Sequence, residues 1–231
     1  RLSRYGSTSE SAAGMKKLMA SMKKLIAGAA LVLSASYNIA AQAQADDVGA
    51  PANTSDRYCL TCHGAAGQGN IGIRAPRLAG MEDWYLQRQL ENFRSGVRGT
   101  HASDEQGLAM QPMAAKLSDA SIADIVLWVS SWDYVPAEIT IEANANQGRS
   151  AYQSCAACHG ADGEGNQALG APALAGQNDW YLATQLKNFR AGIRGAHQDE
   201  SYGSQMIAMA AMLRDDQAIQ NVVSYINTLQ K

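Results

Sequence analysis

Apolar residues recur at helical spacing along this chain, and the pattern predicts the same helices twice. In two segments, at about residues 119–131 and close to residue 220, apolar residues occupy positions i, i+3, i+4 and i+7, as in an amphipathic helix. The stripes consist of Ile122, Ile125, Val126 and Val129 in the first segment and of Ile219, Val222, Val223, Ile226 and Leu229 in the second. Strand-like alternation is confined to residues 139–141. The chain is therefore predicted to be all-α.

The sequence of each half also predicts one helix before and one helix after a glycine-rich loop. The later helix spans about residues 83–95 and 179–191, and Gly96 and Gly192 are natural stops for it. The earlier helix leads into a cysteine cluster and is clearest at about residues 144–154. The loops read "GAAGQGNIGIRAPRLAG" and "GADGEGNQALGAPALAG". Three helices are thus expected in each half.

The two halves are copies of one small domain. A shift of 96 residues carries "DWYLQRQLENFRSGVRGTH" onto "DWYLATQLKNFRAGIRGAH" without a gap, and it also carries Cys59 onto Cys155. Similarity at a fixed period indicates tandem units. The linker is short and contains Pro136, so we expect it to be stiff and to hold the domains together. We expect a first domain at residues 46–132, a linker at residues 133–142 and a second domain at residues 143–231.

The first 45 residues predict an export signal that is separate from the fold. Four lysines precede the apolar run at residues 25–33, and small residues follow up to Ala43-Gln44-Ala45, an A-x-A cleavage signature ahead of Asp46. The apolar run is too short to span a bilayer comfortably. We therefore expect residues 1–45 to comprise upstream residues and a cleaved signal peptide. The mature protein is expected to be periplasmic, with no integral membrane span.

Composition and charge narrow the class of partner. The chain is 46% hydrophobic and 17% charged, which is typical of a globular protein. Six of the 19 basic residues and one of the 21 acidic residues precede residue 46, so the remainder has a net charge of −7. An acidic surface argues against nucleic acid and anionic lipid as partners. It fits an exported protein whose partners present basic or neutral docking faces.

All four cysteines fall in two Cys-x-x-Cys-His clusters, "CLTCH" and "CAACH". A redox disulfide would normally require a βαβ context, and a zinc site built from both clusters would have to join residues 96 apart in separate domains. Cys-x-x-Cys-His is the attachment signature for c-type haem. We therefore predict two covalent haem c groups. Their thioether bonds would form at Cys59, Cys62, Cys155 and Cys158, and the axial histidines would be His63 and His159.

The second axial ligand is expected after the middle helix, where the chain can wrap over the haem. Two repeat-equivalent methionine pairs lie there, Met110 with Met206 and Met113 with Met209, and Met110 and Met206 are favoured. His101 and His197 would give bis-histidine ligation, but their polar, loop-like surroundings favour a surface role.

Two haem propionates per domain would need polar partners, because buried carboxylates are costly without them. The sequence offers repeat-equivalent candidates, of which we favour the pair Arg98 and Arg194 as cofactor-binding residues. The other candidates are Arg94 with Arg190, Trp84 with Trp180, and Tyr85 with Tyr181. The alternative is that the aromatic rings belong to the core and the arginines are solvated.

From about residue 50 to the end of the sequence, the chain resembles dihaem class I cytochromes c of the cytochrome c4 type, and also related single-domain cytochromes c-553. The resemblance is carried by "CLTCHGAAGQG" with "APRLAG", by "CAACHGADGEG" with "APALAG", and by the middle-helix pattern "WYLxxQLxNFRxGxRG". It implies that Met110 and Met206 are the iron ligands. It also implies that the backbone carbonyls of Pro76 and Pro172 orient the histidines.

One feature of the first domain departs from the family pattern. Class I domains commonly pack a glycine and an aromatic residue of the first helix against the last helix. The second domain has Gly148 and Tyr152 at these positions, whereas the first has Ala52 and Asp56.

Histidine and methionine ligation predicts electron transfer. A thioether ligand favours ferrous iron and raises the reduction potential. With both axial positions filled, no coordination site is open to a substrate, so the protein is expected to be an electron carrier and not an enzyme. The resemblance implies a bc1-type donor and a terminal oxidase as acceptor. The alternatives are a cytochrome subunit of a substrate-oxidising dehydrogenase and a dihaem peroxidase.

Overall fold

The computed structural model describes residues 58–229, and helices account for the regular secondary structure of this part of the chain, apart from two isolated β-bridges. The expected signal peptide and the positions of Ala52 and Asp56 lie outside the described residues. In chain order the α-helices are α1 (Cys59–His63), α2 (Asp83–Ser95), α3 (Glu105–Ala114), α4 (Asp119–Ser130), α5 (Ala145–His159), α6 (Asp179–Arg190), α7 (Gly203–Ala210) and α8 (Asp216–Ile226). A 3₁₀ turn spans Gln167–Leu169. The all-α prediction is confirmed.

The helices predicted from apolar spacing form close to their predicted bounds. α2 and α6 are the middle helices, and Gly96 ends α2 with a φ of 77°. α4 buries its predicted apolar stripe, and α8 buries that of the second segment except for Leu229, which lies beyond the end of the helix and is half-buried. The helix before the second cysteine cluster is longer than predicted, because α5 continues through both cysteines to His159.

Helices α3 and α7 were not predicted from the sequence. α3 contains Gly107 and Pro112, which disfavour a helix, and its apolar residues form no clear stripe. The helix begins where the Asp104 side chain accepts a hydrogen bond from the backbone N–H of Gly107 at 3.1 Å. A helix cap and tertiary packing therefore override weak local propensity in this segment.

The first and last helices of the second domain pack at very short range. Gly148 of α5 lies against the backbone carbonyl of Asn221 in α8, so closely that a β-carbon at this position would collide with it. Tyr152, one turn later, is buried, and its hydroxyl donates a hydrogen bond to the Gly160 carbonyl at 2.9 Å. The glycine and aromatic pair expected from the family pattern therefore forms the crossing of these two helices.

The repeat shifts by one residue just before the last helix. Leu117 maps to Leu213 at a spacing of 96, whereas the buried residue Ile122 of α4 maps to Ile219 of α8 at a spacing of 97. One extra residue in the second domain therefore precedes its last helix. The apolar face of α8 still points into the core, because the helix begins one residue later.

The chain between α4 and α5 is anchored to the second domain by one buried carboxylate. Asp179 accepts hydrogen bonds from the Thr140 N–H and hydroxyl at 2.6 Å and from the Ile141 N–H at 2.8 Å. Asn227 donates a further bond at 3.1 Å. Burial raises the pKa of Asp179, but these hydrogen bonds more than offset it and hold the pKa below its ordinary value. The carboxylate therefore ties the linker to α6 and α8.

We expect Asp179→Asn to lower the free energy of unfolding by about 2–3 kcal/mol, since hydrogen bonds to a charged group are lost at a buried site. Because folding lowers this pKa, the contribution is present above the unfolded pKa of about 3.9 and disappears as pH falls through the folded value. Denaturant unfolding between pH 3 and pH 7 measures this contribution. The difference in free energy of unfolding between the variant and the wild type should decrease as the pH falls.

The control is Asp83→Asn, at the repeat-equivalent position, where the carboxylate is exposed and accepts a bond from the Ser130 hydroxyl at 2.5 Å. This variant should lower the free energy of unfolding by less than about 1 kcal/mol. Equal losses for the two variants would contradict the proposed role of Asp179.

Candidate functional site

A mainly apolar cavity of about 270 Å³ lies in the first domain, and another of about 570 Å³ lies in the second domain and extends to first-domain residues such as Glu82 and Arg88. The first cavity is lined by residues that include Cys59, Cys62, His63, Pro76, Arg98 and Met110. The second is lined by the equivalent Cys155, Cys158, His159, Pro172, Arg194 and Met206. The structure thus brings the predicted site residues of each domain to the wall of one cavity.

The histidines are held in a single orientation by proline carbonyls. His63 Nδ1 lies 2.6 Å from the Pro76 oxygen, and His159 Nδ1 lies 2.7 Å from the Pro172 oxygen. A carbonyl oxygen only accepts hydrogen bonds, so Nδ1 carries the proton and Nε2 presents a lone pair. Burial lowers the pKa of both histidines, and the bonds to the prolines oppose this only in part. Each ring is therefore a neutral imidazole with Nε2 available to a metal ion.

The cysteines lie on the helices that end at these histidines. Cys59 and Cys62 belong to α1, and Cys155 and Cys158 belong to the last turns of α5. The first cysteine of each pair is half-buried and the second is exposed. In this described part of the chain the cysteines form no disulfide. Each pair therefore places two thiols beside the histidine at the edge of one cavity.

The methionines predicted as candidate iron ligands belong to α3 and α7, and Met81, which precedes α2, also lines both cavities. Met110 and Met113 both line the first cavity, and Met206 and Met209 both line the second. In the first domain Met110 packs against the hydrophobic core, whereas Met113 is 52% exposed. In the second domain both methionines are half-buried. Burial thus favours Met110 over Met113 in one domain and does not separate the pair in the other.

The remaining histidines lie in surface turns. His101 Nδ1 accepts a hydrogen bond from the Ser103 N–H at 3.1 Å, and His197 Nδ1 accepts one from the Asp199 N–H at 3.2 Å. Both side chains are exposed, and they do not line either cavity.

Arg98 and Arg194 meet across the interface between the domains. Arg98 donates to Gln89 of its own domain at 2.6 Å, and to Tyr181 and Gln185 of the other domain at 3.2 and 3.1 Å. Arg194 repeats this pattern, with bonds to Gln185 at 2.7 Å and to Tyr85 and Gln89 at 3.0 Å. We call these six side chains the interface network. Both guanidinium groups lie in it with neutral acceptors only.

The charge of the interface network fits the cofactor that the cysteine clusters predict. Arg98 and Arg194 are 8% and 6% exposed, they form no ion pair with another described residue, and the Nε of each has no hydrogen-bond partner. Burial lowers the pKa of Arg194, and the charge of the buried Glu200 carboxylate is among the effects that raise this pKa above its ordinary value. Neither arginine has a charged hydrogen-bond partner, however, and such buried cations are costly. A haem carries two propionates, and such carboxylates would supply the missing negative charge.

A third buried cation was missed in the sequence. Arg77 is 2% exposed and lines the cavity of the second domain, although it belongs to the first. Its three side-chain nitrogens have no hydrogen-bond partner, and the guanidinium lies 4.7 Å from the centre of the Tyr134 ring. Burial lowers the pKa of Arg77, and Tyr134 opposes this. The only signal in the sequence is that Arg77 breaks the repeat, since Ala173 is its equivalent.

Arg94 and Arg190, the alternative propionate partners, have other roles. Arg94 donates to the Leu117 carbonyl at 3.1 Å and pairs with Asp119 at 2.7 Å. Arg190 donates to the Leu213 carbonyl at 3.2 Å and pairs with Asp216 at 2.5 Å. Both therefore fasten the end of a middle helix to the start of a last helix, and they do not line the cavities.

No helix within residues 58–229 combines the length and the apolar character needed to cross a membrane.

Comparisons with known proteins agree with this site. The sequence profile of the cytochrome c family matches residues 52–133 and 145–230. The thiosulfate dehydrogenase electron acceptor of Stutzerimonas stutzeri (strain A1501) is 32% identical over 213 residues, which cover 87% of this chain and 92% of that protein. Cytochrome c4 of Azotobacter vinelandii is 30% identical over 186 residues, covering 74% of this chain and 84% of that protein.

A solved structure is similar to most of this chain. The crystal structure of reduced recombinant cytochrome c4 from Pseudomonas stutzeri matches 78% of this chain and 100% of its own, with a TM-score of 0.59 at 30% identity. Both halves of the chain are matched by the family, and each half carries a complete Cys-x-x-Cys-His cluster. The predictions of the family, of two covalent haem c groups and of a carrier in place of an enzyme are confirmed. The chain belongs to the cytochrome c family, as a dihaem electron carrier of the cytochrome c4 type.

Proposed function

We propose that the protein is a periplasmic electron shuttle whose iron ligands are His63 with Met110 and His159 with Met206. The observation that carries this proposal is that each cavity is lined by one histidine with a fixed Nδ1–H and by a methionine of the helix that comes after the middle helix. When bound, each haem supplies a one-electron iron couple. The histidine ring is held in place by its proline, so the ligand need not reorient when the oxidation state changes.

The cofactor would be held by residues of both domains. Cys59 and Cys62 would form the thioether bonds to the first haem, and Cys155 and Cys158 would form those to the second. Arg98 and Arg194 would neutralise propionates through the nitrogens that have no protein partner, and Arg77 would do so in the second domain. We propose that the two domains span residues 46–132 and 143–231 and are joined by a linker. The two segments matched by the family support this division.

The contacts across the interface support the proposal that the two domains transfer electrons as a pair. Besides the interface network, Arg88 of the first domain donates to the Gly170 carbonyl of the second at 2.7 Å and stacks on the Tyr202 ring at 4.6 Å. Two domains held in this way can pass an electron between them without dissociating.

Two classes of donor fit this carrier. A bc1-type complex as donor and a terminal oxidase as acceptor are what the family resemblance implies. The similarity to a thiosulfate dehydrogenase electron acceptor favours a second candidate, in which a dehydrogenase is the donor. A dihaem peroxidase is disfavoured, because methionine lines both cavities in equivalent positions and would fill both axial sites.

The function is tested by stopped-flow mixing of the oxidised protein with quinol-reduced bc1 complex or, separately, with thiosulfate dehydrogenase and thiosulfate. We expect second-order reduction by at least one donor, and re-oxidation by membranes that contain a terminal oxidase. Salt should slow the reduction, because charged docking faces are screened by it. Complete reduction by dithionite is the control for intact haems. A protein that co-purifies with a dehydrogenase in fixed ratio and reacts only inside that complex would overturn the shuttle.

The methionine assignment predicts a spectroscopic loss in single variants. Met110→Ala or Met206→Ala should remove about half of the far-red absorption of methionine-ligated ferric haem and lower one reduction potential, since a thioether ligand raises it. Met113→Ala and Met209→Ala are the matched controls and should leave the band intact. Loss of the band in a control variant would transfer the assignment to that methionine.

The propionate assignment predicts a change in reduction potential and in its pH dependence. In Arg98→Gln the loss of a buried cation should stabilise the more positive oxidised state, so the potential falls. The pKa of the propionate should rise, which moves the pH dependence of the potential to higher pH. Arg94→Gln is the control, because Arg94 pairs with Asp119 away from the cavities. Redox titration from pH 5 to pH 9 measures both effects, and unchanged curves for Arg98→Gln would exclude the role.

A further inference from the structure

The peptide that orients each histidine is also held by the opposite domain. In the first domain the Pro76 carbonyl accepts a hydrogen bond from His63, and the N–H of the same peptide, on Arg77, donates to Asn178 Oδ1 at 2.7 Å. In the second domain the Pro172 carbonyl accepts from His159, and the Ala173 N–H donates to Glu82 Oε1 at 2.7 Å. Each histidine is thus connected through one peptide group to a side chain of the other domain.

Glu82 and Asn178 occupy equivalent positions, 96 residues apart, and both are the N-cap residues of the middle helices α2 and α6. Asparagine at an N-cap ordinarily bonds to the backbone of its own helix. Here neither side chain caps its helix, and both reach across the interface instead. At Asn178 the local preference for capping is therefore given up for a contact with the opposite domain, which is typical of a functional constraint.

The two contacts differ in charge. Asn178 is a neutral amide, and its Nδ2 is used in a bond to the Gln68 carbonyl at 3.2 Å. Glu82 is a carboxylate, and a hydrogen bond to an ionised acceptor is stronger than a neutral one. A peptide whose N–H donates to an anion is polarised, so its carbonyl becomes a better acceptor. A stronger bond from His159 Nδ1 makes the ring a better electron donor at Nε2.

We propose that Glu82 of the first domain lowers the reduction potential of the second domain's haem, by polarising the Pro172–Ala173 peptide that holds His159. Asn178 makes the equivalent contact to the first domain without this charge. The proposal rests on His63 and His159 being iron ligands, as proposed above.

Other charged residues also line the second cavity, so Glu82 does not set the reduction potential of the second haem alone. Its effect is the difference in this potential between a variant and the wild type. These charged residues are Arg77, Arg88, Arg194, Asp199 and Glu200. The contact of Glu82 with the peptide N–H is what distinguishes it from them.

The test compares Glu82→Gln, which keeps an acceptor oxygen and removes the charge, with Asp83→Asn, which removes a carboxylate one residue away. The potentials of the two haems are followed separately by NMR of the haem methyl groups during stepwise oxidation. In Glu82→Gln the equilibrium constant for reduction of the second haem should rise several-fold, up to about tenfold, or about 59 mV for one electron. The first haem should shift less, and Asp83→Asn should change neither appreciably.

Two further readouts separate the relay from a general effect of charge. The Ala173 amide proton resonance should move upfield in Glu82→Gln, as its hydrogen bond weakens, and Asn178→Asp should lower the potential of the first haem. Equal shifts of both haems in Glu82→Gln and Asp83→Asn, or an unchanged second potential with a moved Ala173 resonance, would overturn the relay. Haem content, thermal unfolding and the far-red band are recorded for every variant. A wild-type protein without histidine ligation would refute the proposed function instead.

Discussion

The hydrogen bond between a buried histidine and a proline carbonyl is the interaction on which the rest of each domain depends. It fixes the proton on Nδ1, and it joins the helix that carries the cysteines to the far side of the glycine-rich loop. The loop must therefore fold back over a distance of 13 residues, and the middle helix starts directly after it. Because the same peptide is bonded by the opposite domain, the geometry of one histidine also depends on how the two domains are joined.

Much of the fold follows from patterns that are visible in the sequence. The amphipathic stripes of α4 and α8 have a strong period, and the gap-free repeat fixes the equivalence of the middle helices. The bounds of α6, Asp179–Arg190, fall within one residue of the predicted range. Helix α3 could not be predicted, because Gly107 and Pro112 oppose it and its support comes from tertiary contacts.

The site was predictable to different degrees for different residues. The cysteines and histidines are adjacent in sequence, so their joint placement follows from local geometry. The prolines, methionines and Arg98 were found by repetition and family resemblance, because equivalent residues recur at a spacing of 96. Arg77, Glu82 and Asn178 were missed for the opposite reason: each differs from its repeat partner, and its meaning depends on contacts between domains that no local pattern encodes.

The interface network also links the folding of the two domains. Each arginine completes its hydrogen bonds on a tyrosine and a glutamine of the other domain. If one domain unfolded alone, it would leave the other with a buried guanidinium group short of acceptors and an apolar surface open to water. Partly unfolded forms are therefore raised in free energy relative to both end states. We therefore expect the two domains to unfold as one cooperative unit, although each has its own hydrophobic core.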